Sequence, residues 1–227
     1  MNFELLFQLL LNGLIVGTLY GVVAMCFVLI YKSTQIVNFA QGEFLLIGAW
    51  VCYAFLVEMH MPFWLGFIFT LLFMMAFGII LQMVVLRPMI GEPIISVIMV
   101  TIGLSIFFQA ATKWIFGATT ATYPQVFETR SVNLMGMQIE TAYIMSFVIS
   151  LVIMAAFYWF FKYSKLGLAM RATAFDQQVA QSLGISVKTV FAMSWAISAL
   201  VSGVAGIVIG MVNGVSSALS VIGIKVF

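Results

Sequence analysis

A run of polar residues beside a glycine interrupts the apolar sequence at residues 38–43, which read Asn38-Phe39-Ala40-Gln41-Gly42-Glu43. An ionised carboxylate in hydrocarbon costs several kcal/mol, so Glu43 is expected to face a protein interior, a water-filled path or the membrane interface. Gly42 would let a helix break there, so that backbone groups line a cavity, as in transporters. The alternative is that Glu43 only begins a helix, where a carboxylate complements the helix dipole.

A second set of polar residues recurs every fourth position in a later apolar run. Thr101, Ser105, Gln109 and Lys113 would lie on one face of a helix. That face is expected to point into protein and away from lipid. It would either line a substrate path or hydrogen-bond to neighbouring helices, as hydroxyls in membrane helices commonly do. The candidate path residues are Asn38, Gln41, Gly42, Glu43, Thr101 and Ser105.

The third feature is a polar connection at residues 162–189 that holds four basic residues. An apolar stripe within it consists of Phe175, Val179 and Leu183. Asp176 stands near the start of this stripe and Gly184 is placed as a C-terminal cap, so we predict a short amphipathic helix outside the membrane. The helix would rest on lipid headgroups, pack on its own spans or insert into a partner's groove. Small Ala180 and Gly184 on its flank favour the partner.

The composition around these features excludes a soluble globular fold. Charged residues are 7% of the 227 and hydrophobic residues 64%, against roughly 25% and about half in soluble domains. At about 20 apolar residues per crossing, the chain has room for six to eight spans and no separate soluble domain. We therefore predict an all-α, polytopic helical integral membrane protein. The expected spans are residues 5–31, 36–57, 63–86, 94–116, 141–161 and 190–212.

Lysine and arginine in short loops predict the orientation, because cytoplasmic loops are enriched in them. If residues 162–189 are cytoplasmic, six basic residues lie inside and two, Lys113 and Arg130, lie outside, with Lys225 unassigned. This distribution predicts an external N-terminus and an external loop at residues 117–140. The six inside residues are Lys32, Arg87, Lys162, Lys165, Arg171 and Lys188.

Other functions find little support in the sequence. The chain has one histidine and none of the common serine-hydrolase, metalloprotease or phosphate-loop motifs, so it is not expected to be an enzyme or to bind ATP by itself. The net charge of +2 includes no basic block that would hold nucleic acid. Cys26 and Cys52 lie in apolar stretches and indicate neither a disulfide framework nor a metal site. No cofactor is expected.

Several segments together resemble the LivH-type permeases of bacterial branched-chain amino acid ABC importers, and the resemblance runs in order over nearly all of the chain. The segments read IVNFAQGE at 36–43, TIGLS at 101–105, YSKLGLAMRA at 163–172 and LGI at 183–185. In that family, the cytoplasmic loop contains the short helix that docks on the ATPase subunit. The general permease pattern of Glu-Ala-Ala, three residues and Gly falls here on Gln178, Val179, Ala180 and Gly184, and the first two depart from it.

The resemblance implies one permease domain over residues 1–227 of an ATP-driven importer for branched-chain or other small hydrophobic amino acids, working by alternating access. It implies a second related permease, two cytoplasmic ATP-binding subunits and an extracytoplasmic substrate-binding protein, in the bacterial inner membrane. Family members continue past the position of Phe227, so the chain is expected to lack the family's C-terminal part. The expected ATPase-coupling residues are Arg171, Phe175, Gln178, Val179, Ala180, Leu183 and Gly184.

Three alternatives stay open. Related permeases carry urea or short amides, and the residues named above do not separate those substrates from leucine, isoleucine and valine. A channel or carrier that works without ATP would use Glu43 and the polar stripe as an ion or proton path. A membrane scaffold would use its polar groups only for helix association.

Overall fold

Helices dominate the computed structural model, which describes residues 3–89, 92–124, 131–134 and 137–226. Six helical stretches in these ranges are long and apolar enough to cross a membrane, which confirms the predicted all-α, polytopic fold. The α-helices of the described residues are α1 (Phe3–Thr34), α2 (Gln41–Tyr53), α3 (Phe63–Leu81), α4 (Ile94–Phe116), α5 (Thr141–Tyr163), α6 (Lys165–Phe175), α7 (Gln177–Ser182), α8 (Val187–Asn213) and α9 (Ala218–Val226).

The second span differs from the sequence expectation, because its helix begins at Gln41 and not at residue 36. Gln35 has a positive φ of 58° and ends α1. The backbone N–H of Ala40 then donates to Asn38 Oδ1 at 3.0 Å, a local side-chain bond that competes with helix formation. A π-helical turn, Ala54–Glu58, continues α2 at its other end.

The other five stretches begin and end within four residues of the expected spans. They are Leu9–Thr34, Phe63–Met89, Ile94–Phe116, Thr141–Tyr163 and Val187–Asn213. In the third span, α3 is followed by a π-helical turn, Gln82–Leu86, and a short 3₁₀ turn, Arg87–Met89. Past α8, the chain forms α9, a helix that is too short to cross a membrane.

The centre of the bundle is the pair α2 and α8, which are the most buried of the six spans, whereas α4 and α5 are the least buried. The helices α1, α3 and α9 pack around this pair. Glycines allow α2 and α8 to approach each other closely. A Cβ built on Gly48 of α2 would lie 2.5 Å from the Cα of Gly203 in α8. Small residues let membrane helices gain van der Waals contact in this way.

The connection between α4 and α5, which is predicted to be an external loop, contains local structure of its own. Its first part covers the ends of α2 and α8, because Ala121 and Val215 exchange backbone hydrogen bonds of 2.9 and 2.7 Å. Two short strands follow, β1 (Ser131–Leu134) and β2 (Met137–Glu140), paired antiparallel with Ser131 opposite Glu140. Residues 125–130 and 135–136, with Arg130 among them, lie outside the described residues.

One tyrosine holds this connection against α2. The Tyr123 hydroxyl donates a 2.7 Å hydrogen bond to the carbonyl oxygen of Ala49. Burial raises the pKa of Tyr123 well above its ordinary value, so the phenol keeps its proton and remains a donor at neutral pH.

Candidate functional site

Two amide side chains form a buried network between the start of α2 and the middle of α8. Asn38 Nδ2 donates to Gln41 Oε1 at 3.2 Å, and the same oxygen accepts from Ser198 Oγ at 3.2 Å. Gln41 Nε2 in turn donates to Ser202 Oγ. Both amides are fully buried, and these bonds supply partners to polar groups that would otherwise be costly in the bundle interior. Asn38 and Gln41 therefore fix where the chain enters α2.

The serine partners of Gln41 are not among the site residues predicted from the sequence. Ser194, Ser198 and Ser202 follow one another at intervals of four on α8, all buried. That spacing places them on one helical face, and it is the signal that could have identified the partner face of Gln41.

Glu43 points to the other side of α2, toward α4. Its Oε1 accepts a 3.1 Å hydrogen bond from Ser105 Oγ, and the side chain is only 3% exposed. Its Oε2 has no hydrogen-bond partner in the described part of the chain. The carboxylate thus reaches a neighbouring helix and does more than begin α2, and one of its two oxygens accepts no hydrogen bond from the described residues.

The depth of Glu43 follows from its partner. Ser105 is the central residue of α4, eleven residues after Ile94 and eleven before Phe116. Because α4 is long enough to cross the membrane, its centre lies near the midplane. Glu43 therefore lies level with the middle of α4, about half a helix length from either end of that helix. Intramembrane acids at such depths usually mark functional sites.

Three residues of the polar stripe on α4 face protein, as predicted, whereas the fourth, Lys113, is exposed. Thr101 Oγ1 donates to the carbonyl oxygen of Ile98 at 2.9 Å and lies 3.5 Å from that of Val37. One turn beyond Ser105, Gln109 Nε2 donates to Ser220 Oγ of α9 at 3.2 Å. These contacts attach α4 to the segment before α2, to α2 and to α9. Most of the stripe therefore serves helix association, with the Glu43 carboxylate as the exception.

Gly42 has a different role from the expected helix break. It is the second residue of α2, and the break precedes it at residues 35–40. A Cβ on Gly42 would collide with the carbonyl oxygen of Ser220, and a Cβ on Gly223 would collide with Gly42 Cα. Gly42 is therefore required for the close contact of α2 with α9, beside Glu43.

The connection at residues 162–189 forms two helices where one was predicted. Asp176 ends α6 and caps α7, because its Oδ1 accepts from the backbone N–H groups of Gln178 at 2.8 Å and Val179 at 3.0 Å. Gly184 has a φ of 85°, and the N–H of Ile185 donates to the carbonyl oxygen of Ala180 at 3.0 Å. This arrangement is a Schellman cap, so Gly184 ends α7 as its position predicts.

The predicted apolar stripe spans both helices and is exposed. Phe175 is 94% exposed at the end of α6, and Leu183 is 76% exposed after α7, with Val179 exposed between them. We call these three residues the loop surface. Arg171 and Gln178 are exposed beside it. Ala180, in contrast, is 1% exposed and packs inside the chain, so it does not contribute to a partner-facing surface.

Two pockets lie between the end of α1 and the helices α6 and α7. A polar pocket of about 460 Å³ lies between Gln35 and the α6–α7 junction. A smaller pocket of about 140 Å³ is also lined by Gln35, together with Gln177 of α7 and Val97 of α4. The residue that ends α1 thus lies between the loop and the segment that carries Asn38.

Comparison with known proteins gives one family and several relatives. Residues 9–227 match the family described as "Branched-chain amino acid transport system / permease component". The high-affinity branched-chain amino acid transport system permease protein LivH of Salmonella typhimurium is 29% identical over 220 residues, which cover 92% of this chain and 71% of the relative. The permease protein BraD of Pseudomonas aeruginosa is 30% identical over 222 residues, covering 92% and 72%.

A more distant relative comes from an archaeon. The probable branched-chain amino acid transport permease protein LivH of Methanocaldococcus jannaschii is 24% identical over 208 residues, which cover 88% of this chain and 65% of the relative. No solved structure gives a significant match. The family match extends over nearly the whole chain and agrees with six membrane-spanning helices. The chain belongs to the family of multi-pass permease components of branched-chain amino acid transport systems.

Proposed function

We propose that the chain is the membrane-spanning subunit of an ATP-driven importer that moves branched-chain or other small hydrophobic amino acids by alternating access. The observation that carries the proposal is the family match over residues 9–227. In this proposal the chain does no chemistry itself, and hydrolysis of ATP takes place on partner subunits. The N-terminus faces the outside of the bacterial inner membrane.

The proposed partners are a second related permease, two cytoplasmic ATP-binding subunits and an extracytoplasmic substrate-binding protein. The loop surface supports contact with an ATP-binding subunit. Three large apolar side chains project from two capped helices outside the membrane spans, and such exposed apolar groups are typical of interaction sites. Arg171, Gln178 and Gly184 border the contact, while Ala180 anchors α7 to the bundle.

The proposed substrate path lies where α2 begins, among Asn38, Gln41, Gly42 and Glu43 of one segment and Thr101 and Ser105 of α4. Support comes from the mid-depth position of Glu43 and from the non-helical segment that precedes α2, since transporters commonly bind substrate near the midplane at interrupted helices. Asn38 and Gln41 act through their hydrogen bonds, which position the segment.

Movement of the loop would reach the path through Gln35. Gln35 lines one pocket with Gln177 and the first turn of α4, and a second pocket with the α6–α7 junction. A displacement of α6 and α7 by the ATP-binding subunit would therefore press on the segment at residues 35–40 and on α4. The two elements that hold Glu43 and Ser105 would shift together.

The experiment is uptake of labelled leucine by the complete transporter in proteoliposomes, with ATP on the loop side and binding protein on the other. We expect uptake that requires both and stops with vanadate. Urea and short amides at a hundredfold excess should not compete. Uptake that follows an ion gradient and ignores vanadate would favour a channel or carrier, and competition by urea would favour an amide permease.

A further inference from the structure

We infer that Glu43 binds the ammonium group of the transported amino acid. The inference rests on the proposed function, because it names the group that recognises one end of that substrate. An amino acid crosses the membrane as a zwitterion, and each of its charges needs a partner in the protein interior. A buried carboxylate with one unused oxygen is such a partner for the positive end.

The carboxylate of Glu43 has acceptor positions that no donor of the described residues occupies. A carboxylate has about four acceptor positions, and the bond from Ser105 Oγ occupies one of those on Oε1. Oε2 is buried and has no partner among the described residues. A buried charge is tolerated when it is paired and hydrogen-bonded, so an incoming ammonium would complete a site that is otherwise incomplete.

Hydroxyl oxygens next to Glu43 provide further acceptors. Ser105 donates to the carboxylate, which leaves lone pairs on its own oxygen. Ser220 lies across the α2–α9 contact, with its carbonyl oxygen against Gly42, and its hydroxyl accepts from Gln109. An ammonium has three N–H donors, and one carboxylate with two flanking hydroxyls matches that number.

The helix that covers the site buries few of its own residues. Of the 23 residues of α4, only Val97, Thr101 and Thr112 are buried against the described part of the chain. Lys113 is the one charged residue of α4, and it is exposed and lies eight residues from Ser105, about 12 Å along the axis. Because few residues of α4 are buried, movement of α4 away from α2 would expose Glu43 to substrate without breaking a large apolar interface.

The first experiment measures whether ligands protect Glu43 from dicyclohexylcarbodiimide, which modifies carboxyl groups in apolar surroundings. The complete transporter in nanodiscs, without binding protein or ATP, is treated with reagent and the modified residue is quantified by mass spectrometry. The probes are leucine, 3-methylbutylamine, which lacks the carboxylate, and 4-methylpentanoate, which lacks the ammonium. We expect protection by the first two and none by the third.

Three results of this assay would overturn the inference: equal protection by 4-methylpentanoate, protection by none of the probes, and protection by sodium ions alone. The assay needs no ATP. Wild-type leucine uptake without protection at Glu43 therefore contradicts the inference alone, whereas absent uptake contradicts the proposed function.

Uptake by variants decides the matter if the reagent does not reach Glu43. Glu43→Gln keeps the shape and removes the charge, and Glu58→Gln removes the same charge from an exposed position. We expect leucine uptake at low substrate to fall about 10-fold or more in Glu43→Gln, since a charge-assisted hydrogen bond is lost. Glu58→Gln should match the wild type, and Glu43→Asp should recover part of the loss. Uptake by Glu43→Gln within twofold of the wild type would refute the inference.

Discussion

The contact between Gly48 of α2 and Gly203 of α8 predicts that one added methyl group destabilises the bundle. A Cβ at residue 48 would lie 2.5 Å from the Cα of Gly203 and 3.2 Å from its carbonyl oxygen. Both obstacles are backbone atoms of a buried helix, so a rotamer change cannot relieve the overlap. Gly48→Ala should therefore force α2 and α8 apart.

The magnitude follows from two opposing terms. Overpacking costs about 1–3 kcal/mol, with the upper half expected here because backbone meets backbone. Replacing glycine by alanine within a helix returns about 1 kcal/mol. The net loss is about 1–2 kcal/mol, or a melting temperature about 2–8 °C lower in a chain of this size.

Gly103→Ala in α4 is the matched control, because nothing lies within 4 Å of a Cβ built there. Gly103→Ala gains the stabilisation that alanine gives over glycine in a helix and meets no overlap, so its melting temperature should rise by about 2–4 °C. Both variants can be followed in detergent with a thiol-reactive fluorophore, since Cys26 and Cys52 are free and buried and become reactive on unfolding. Equal melting temperatures for the two variants, or a more stable Gly48→Ala, would refute the packing argument.

Three further predictions concern the site and its surroundings. Tyr123→Phe should lower stability by about 1 kcal/mol, because the carbonyl of Ala49 loses its hydroxyl donor, and a melting temperature equal to that of the wild type would contradict this. Gln41→Leu should cost about 1–3 kcal/mol, since it removes the amide that bonds to Ser198 and Ser202 of α8; a fluorescence melting curve in detergent checks it. Leu183→Ser should leave the melting temperature unchanged but reduce recovery of ATP-binding subunits in a pull-down by about 10-fold, as expected when a large apolar side chain is lost from an interface.

The choice of Leu183 for the pull-down follows from the structure of the loop. A substitution at Gly184 would strain the positive φ that ends α7, and one at Ala180 would disturb packing inside the chain. Either substitution would change the folding of the loop as well as its binding to a partner. The side chain of Leu183 is largely exposed, so its removal tests the surface alone.

The parts of the fold that depend on local sequence were predictable. The long apolar runs predicted the ends of five spans to within four residues. The four-residue spacing of polar side chains predicted which side of α4 faces protein. The Gly184 cap was also readable, because only a residue that tolerates positive φ fits there.

The parts that depend on competing local bonds or distant partners were not predictable. Asn38 bonds to the Ala40 amide and delays the start of α2, and Asp176 caps α7 and so divides the expected amphipathic helix. The partners of Gln41 lie 157 and 161 residues away in the chain, and the spacing of the serines shows that they share a helical face but not that this face meets Gln41. That Ala180 faces inward follows from the angle at which α7 docks, which the pattern of the loop does not contain.

The distance in sequence between Gln41 and its partners has a consequence for synthesis of the protein. α2 is the least apolar of the six spans and needs Ser198 and Ser202 to satisfy its buried amide. Ribosomes add about 5–20 residues per second, so those serines appear about 8–32 s after Gln41. During that interval, lipid cannot supply hydrogen-bond partners to the polar side chains of α2. The nascent segment must therefore be sheltered by the insertion machinery or wait at the membrane surface until α8 arrives.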